Sequence, residues 1–261
     1  MRCMNVFKLI IGCLFFLSFT HCALTAFNRR GDNAEDYFEE GNENIKRKLW
    51  ADADNAFAQL RAKFPYSKYA VLAELSQADV KFKSERYTES IDAYDLFIQA
   101  HPLHERVGYA YFMQASAHYE EIASDFFLFP PGYEKDDTEV KKAIQGFKDY
   151  LSRYPQAEFS SDAQKRLQEC KQKLIAHDLY VARFYAQRKK YQGALYRYES
   201  IYALKEDIPM DAALLYEMAS VYDKNANPKK RDQLHCDIIK DFTSSKQAQK
   251  IKTTYRDLKC N

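Results

Sequence analysis

The residues of this 261-residue chain that could do chemistry are its histidines, its adjacent acidic pairs and its six cysteines. His101-Pro102-Leu103-His104 has a spacing that can offer two imidazoles to a metal, but only where both lie on one helix face. Pro102 puts them on a turn, with no Cys or third His nearby, so the pair reads as capping or hydrogen bonding across a junction. Asp136-Asp137 reads as solvated charge, and His177-Asp178 as a helix-surface pair. No Gly-rich phosphate loop, nucleophile elbow or CxxC motif occurs. The expectation is a protein that is not an enzyme and holds no cofactor and no metal.

The cysteines divide by position. Cys3 and Cys13 fall in an N-terminal stretch with the form of a secretory signal: Arg2 and Lys8 as positive flank, then the apolar run Leu9–Phe19. Eleven apolar residues are too few to span ~30 Å of hydrocarbon as a helix. Cys22 ends that segment in Leu17-Ser-Phe-Thr-His-Cys22, which resembles a bacterial lipobox, with His21 and Phe19 departing from it. Two readings stand: lipidation of Cys22 over a tether 22–33, or ordinary cleavage near Ala23–Ala26. A multiply acylated Cys anchors firmly, since each buried CH₂ adds ~0.8 kcal/mol. Removing Arg2 and Lys8 from 39 basic and 37 acidic residues leaves 37 of each, so the mature chain is neutral and a nucleic-acid partner is not expected. Cys170 keeps step with Leu167 and Leu174 and reads as a small core residue. Cys236 and Cys260 lie near the C-terminus, in a compartment where disulfides persist; if bonded they close a loop worth roughly 3 kcal/mol.

The elements that carry these residues are helices. Few Gly and Pro (7 each), with 20 Tyr and 18 Phe set in a richly charged sequence, suit helices that bury a narrow stripe. Ile175–Tyr202 reads as two helices around a short basic turn, with Val181, Ala182, Tyr185, Ala194 and Tyr198 at repeat offsets. Related patterns recur: Tyr37, Gly41, Ala53, Phe57, Leu60 and Pro65; then Ala78, Tyr87, Ser90, Tyr94, Phe97 and Pro102. Tyr111, Ala115, Tyr119, Ala143, Phe147, Tyr150 and Pro155 follow, and Leu215, Met218, Ala219 and Tyr222 close the series before a decay at Asn225–Lys230. A period of about 34 residues with small residues on both helices predicts an all-α tetratricopeptide-repeat solenoid of about five helix pairs. The expected division is a signal peptide 1–21, the tether, repeats 1–3 over 34–155 with an aromatic insertion at 124–138, and repeats 4–5 with a capping helix over 156–261.

These segments resemble the outer-membrane assembly lipoprotein family known as BamD, YfiO or ComL. The resemblance rests on the signal ending at Cys22, on Tyr87–His104 with its HPxH turn, on Arg153-Tyr154-Pro155 followed by Asp162–Leu167, and on His177–Arg188. It covers roughly Asn33–Thr243, and departs at His21 and at the insertion. It implies a lipid-anchored protein on the periplasmic face of the outer membrane, partnered by BamA and other assembly subunits and by unfolded outer-membrane β-barrel proteins. It also implies a BamA-docking surface at Arg197, with Arg188, Lys189 and Lys190 accessory. The bland alternative for Arg197 is an exposed helix charge paired with Glu199 or Glu206. Tyr66, Tyr69 and Phe82 are candidates for substrate contact in the first repeats, weighed against burial in the core. The competing reading is another periplasmic tetratricopeptide lipoprotein, acting as a cell-envelope or cell-division adaptor.

Overall fold

The computed structural model of the chain describes residues 33–122 and 136–260. Those residues form helices α1 (Ala34–Lys46), α2 (Trp50–Lys63), α3 (Lys68–Lys83), α4 (Tyr87–Ala100), α5 (Val107–Glu120) and α6 (Thr138–Arg153). After them come α7 (Ser160–Gln187), α8 (Tyr191–Tyr202), α9 (Ala212–Lys224), α10 (Pro228–Asp241) and α11 (Lys246–Thr254), with no strand among the described residues. The fold class is therefore the expected all-α tetratricopeptide-repeat solenoid, read as the pairs α1–α2, α3–α4, α5–α6, α7–α8 and α9–α10 with α11 as cap. The helices group into two compact units, one up to Ala93 and one from Tyr94 onward.

Local chemistry explains the helix starts. Asn33, Ser67, Asp211 and Ser245 each accept a backbone N–H with the side chain, three residues on, as good N-caps do. Ser160, the first residue of α7, donates its hydroxyl to the carbonyl of Tyr154 at 2.6 Å. The stretch Asn225–Lys230 does not dissolve the fifth repeat: Asn227 caps α10, and Pro228 occupies the first turn, where a missing N–H costs nothing. Four turns within pairs share one device, a non-glycine residue with φ between 54° and 63°: Lys48, Glu85, Lys189 and Ala226. In each, the residue after it donates its N–H back to the last turn of the first helix, as Lys190 does to Tyr185 at 3.0 Å.

Packing follows the small positions. A Cβ on Gly41 would lie 2.4 Å from the Phe57 ring, so α1 and α2 approach at that point as closely as only glycine permits. Phe57, Ala53 and Leu60 are fully buried beside Tyr37, Ala70 and Val80 in the first unit. In the second unit Phe112, Ala143, Phe147, Tyr150, Ala163 and Cys170 form one cluster, and Ala182, Ala194, Tyr198, Ile201, Met218 and Ile238 belong to another. Each large apolar side chain so buried contributes on the order of 2 kcal/mol. Cys170 is the small core residue expected; burial pushes its thiol up to about 12, leaving it unreactive at neutral pH.

Candidate partner-docking surface

Helix α7 runs 28 residues and packs against both α6 and α8, so it offers a continuous side to solvent only along one stripe. That stripe carries Tyr180 and Phe184, both partly exposed, and a cleft of about 710 Å³ is lined there by Ala176, Tyr180, Arg183, Phe184, Gln187 and Arg188. At its end the turn to α8 presents Arg188, Lys189 and Lys190, all exposed. The Arg188 guanidinium lies 3.5 Å from the Phe184 ring centroid, a cation–π contact that leaves most of its donors facing water. None of the three cations forms an ion pair with another described residue.

Arg197, on α8, is held differently from the expectation. Its Nη1 donates to Asp178 Oδ1 at 2.8 Å, and neither Glu199 nor Glu206 is its partner. Glu199 sits two positions along the helix and so faces away; it accepts instead from Lys230 at 2.6 Å and Tyr222 at 2.8 Å. Asp178 is buried, its carboxyl raised above the usual range by desolvation that Arg197 only partly offsets. The reading of His177-Asp178 as a surface pair is therefore corrected: Asp178 turns toward Arg197 of α8, and His177 toward Asp137 just before α6. Asp137, expected to be solvated, is buried too, with Lys141 Nζ at 2.7 Å and His177 Nε2 at 3.6 Å from its Oδ2. Ligand atoms of Asp137, His177 and Asp178 fall within 4.8 Å of one another, close enough to surround an ion. Lys141 and Arg197 already supply one positive charge to each carboxylate, so the group is electrically closed as it stands.

Two further polar nodes tie α7 and α8 to the loop and helix beyond them, and sequence reading missed both. Arg183 grips Glu217 of α9 with two hydrogen bonds of 2.8 Å, and Tyr198 donates to the same carboxylate at 2.6 Å. Burial tends to raise the Glu217 pKa, yet these donors outweigh it and hold the carboxyl below its usual range. The hydroxyl of Tyr222, desolvated and bonded to Glu199, is pushed up to about 12. Lys171, almost wholly buried on α7, reaches Asp207 in the loop after α8 at 2.9 Å. Partners 19 to 36 residues away leave no periodic trace, though a Lys and an Asp on apolar faces were visible hints.

The other candidates are scattered. Tyr66 is fully exposed on the turn after α2, so the core alternative fails for it. Tyr69 is half-buried against Phe38, ring centroids 5.4 Å apart, and Phe82 is half-buried edge-on to Tyr87. Tyr69 and Phe82 stand at opposite ends of α3, roughly 20 Å apart at 1.5 Å per residue, and form no common site. Cys22, most of the insertion 124–138 and the signal peptide lie outside the described residues. Cys236 on α10 is bonded to Cys260, beyond α11, with Cα atoms 5.3 Å apart. His101 and His104 flank Phe97, and His104 Nδ1 accepts the Arg106 N–H at 3.1 Å at the entry to α5, a structural use.

A family described as YfiO, outer membrane lipoprotein, matches residues 30–236. The outer membrane protein assembly factor BamD of Xylella fastidiosa strain 9a5c is 24% identical over 69% of this chain and 63% of its own length. The protein of the same name from Pasteurella multocida is 24% identical over 74% of this chain and 81% of its own. The chain thus matches somewhat less than two thirds of the Xylella protein. Among solved structures, the TPR2AB domain of yeast Sti1 in complex with pHSP90 covers 82% of this chain, and 80% of that chain is matched, at 13% identity and a TM-score of 0.41. So distant a likeness adds nothing to the helix pairs themselves.

Proposed function

The chain belongs to the YfiO family of outer membrane lipoproteins, whose curated relatives are outer membrane protein assembly factors, and on that premise we propose that it is a non-catalytic scaffold of the outer-membrane β-barrel assembly machinery. It binds BamA through its C-terminal repeats, receives unfolded barrel substrates at its N-terminal repeats and is held to the membrane through Cys22. The observation that carries the BamA assignment is the cationic turn Arg188–Lys190 beside the exposed rings of Tyr180 and Phe184. Uncompensated cations next to apolar surface suit an acidic partner, with charge steering the encounter and the aromatic stripe giving the buried contact.

Arg197 fits this role as a shared group instead of a free handle. One of its five donors is engaged by Asp178, which fixes the guanidinium plane, and the others remain for a partner carboxylate. The consequence is practical: reversing Arg197 would set two carboxylates together in a buried spot and confuse docking with folding. The cleaner test reverses Arg188, Lys189 and Lys190 to Glu in the lipidated full-length protein and measures BamA recovered with it from solubilised membranes. We expect recovery to fall at least roughly tenfold while helix content is unchanged, since steering charges act on association. Undiminished recovery removes this surface from the proposal. Depletion of the chain should lower porin levels broadly; unchanged porins would instead favour the adaptor reading.

A further inference from the structure

His235 lies on α10 with only 2% of its surface exposed, and its Nδ1 has no hydrogen-bond partner among the described residues. The ring is stacked on Tyr216 of α9, centroids 5.9 Å apart at 17°, and packs 4.6 Å from Tyr255, which comes directly after α11. It thus sits where the capping segment meets the last helix pair. A neutral imidazole leaves one buried nitrogen unpaired there, a smaller penalty than a buried charge. An imidazolium would carry a charge out of water with no acceptor placed to receive its second N–H.

Of the surrounding charges, the carboxylates of Asp232 and Asp223 favour a charged ring, but burial and the Arg231 charge, which disfavour it, outweigh them. On its own helix Arg231 is a neighbouring cation, and Arg231 already engages Asp232 at 2.8 Å and Asp223 of α9. Tyrosine faces can stabilise a cation, but each ring here already carries one: Arg231 lies 4.9 Å from the Tyr255 centroid, and Lys250 of α11 lies 5.1 Å from that of Tyr216. A further positive charge between them adds repulsion from both sides.

We propose that His235 is a pH-sensitive latch for the C-terminal cap, so that protonating it releases α11 and Tyr255 from α9 and α10 while the Cys236–Cys260 bond keeps the released segment tethered. The direction of linkage agrees. Burial, and then Arg231, lower the His235 pKa from its ordinary 6.5, so the stability contributed by the neutral ring is present above the unfolded value and is lost as pH falls toward the folded one. The carboxylates nearby, Asp223 and Asp232, are each ion-paired with Arg231.

The test is hydrogen exchange of the full chain at about pH 7.5 and about pH 5.5, corrected for intrinsic rates, with residues 246–254 as reporter. Protection of that segment should drop roughly tenfold in acid while α7 and α8 keep theirs, as a local opening requires. His235→Phe keeps an aromatic ring between the tyrosines and should abolish the acid effect. Equal protection at both pH values in the wild type, or the same acid loss in the Phe variant, overturns the proposal. Should the Phe variant fail to fold, an NMR titration of the wild-type imidazole decides instead: a midpoint below the ordinary histidine value supports the latch, and one at or above it refutes it.

Discussion

The first unit, up to Ala93, and the α7–α10 repeats use the same helix-pair plan but different glue. In the first, packing of Gly41 on Phe57 and of Tyr37, Leu60 and Val80 carries the fold, and the polar links between helices are exposed or only partly buried, as in Arg61 to Glu74 and Gln77 and in Lys63 to the Tyr37 hydroxyl. In the C-terminal repeats, charged or titratable groups are taken inside: Asp178, Lys171 and His235 are buried, and Glu217 joins three helices. Apolar stripes tolerate repacking, whereas a buried charge is committed to one partner. The half proposed to dock a folded protein thus has its side chains locked, and the half proposed to receive unfolded chains is held by less exacting contacts.

Arg197→Ala tests that contrast most severely. It strips the buried Asp178 carboxylate of its cation and should cost about 3 kcal/mol, measured by denaturant unfolding at neutral pH. Adding Asp178→Asn should recover much of that loss, because the uncompensated charge goes with it. A cost below about 1 kcal/mol would mean that the pair behaves as a surface pair, and the contrast would fail.

Opening the disulfide comes next. Cys236→Ser with Cys260→Ser lengthens the freedom of a loop with sequence separation 24 and should lower stability by roughly 3 kcal/mol or somewhat less. Thermal unfolding with and without reductant should reproduce the effect in the wild type and show none in the double variant. A loss spread evenly to exchange in the first unit would indicate that the two units unfold together.

In the first unit the sensitive position is apolar. Gly41→Ala forces a methyl against Phe57 and should cost about 1–3 kcal/mol through overpacking. Phe57→Leu added to it should restore part of the loss by making room, which a backbone-conformation effect would not do.

Much of this architecture is legible in the sequence, and the misreadings share a cause. Gly41, Phe57, Ala182, Ala194 and Tyr198 announce themselves because burial within one pair repeats at helical spacing. Asp178 reads as superficial because its partner is on another helix, Arg197 of α8, 19 residues on. Tyr66 reads as a core candidate, but it follows Pro65 in a turn where periodicity no longer applies. Apolar contacts repeat at fixed spacing and can be read from it, whereas single polar partnerships between helices, within a pair or across pairs, need the fold. The four left-handed turn residues escape a sequence reading because Lys, Glu, Lys and Ala stand where Gly would have signalled the geometry.

The smallest expected effect is the surface counterpart of the first. Arg61→Ala removes the link from α2 to Glu74 and Gln77 on α3, where the arginine side chain is 43% and the glutamate 30% exposed. Water can take over the abandoned carboxylate, so the loss should stay below about 1 kcal/mol and shrink further in salt. A double-mutant cycle with Glu74→Ala isolates the pair from the packing of the arginine stem. Coupling well above that bound would show that the first unit also relies on committed charges. Coupling near zero, set beside a cost of several kcal/mol for Arg197→Ala, would locate the difference in burial alone, since both links join an arginine to a carboxylate on the neighbouring helix.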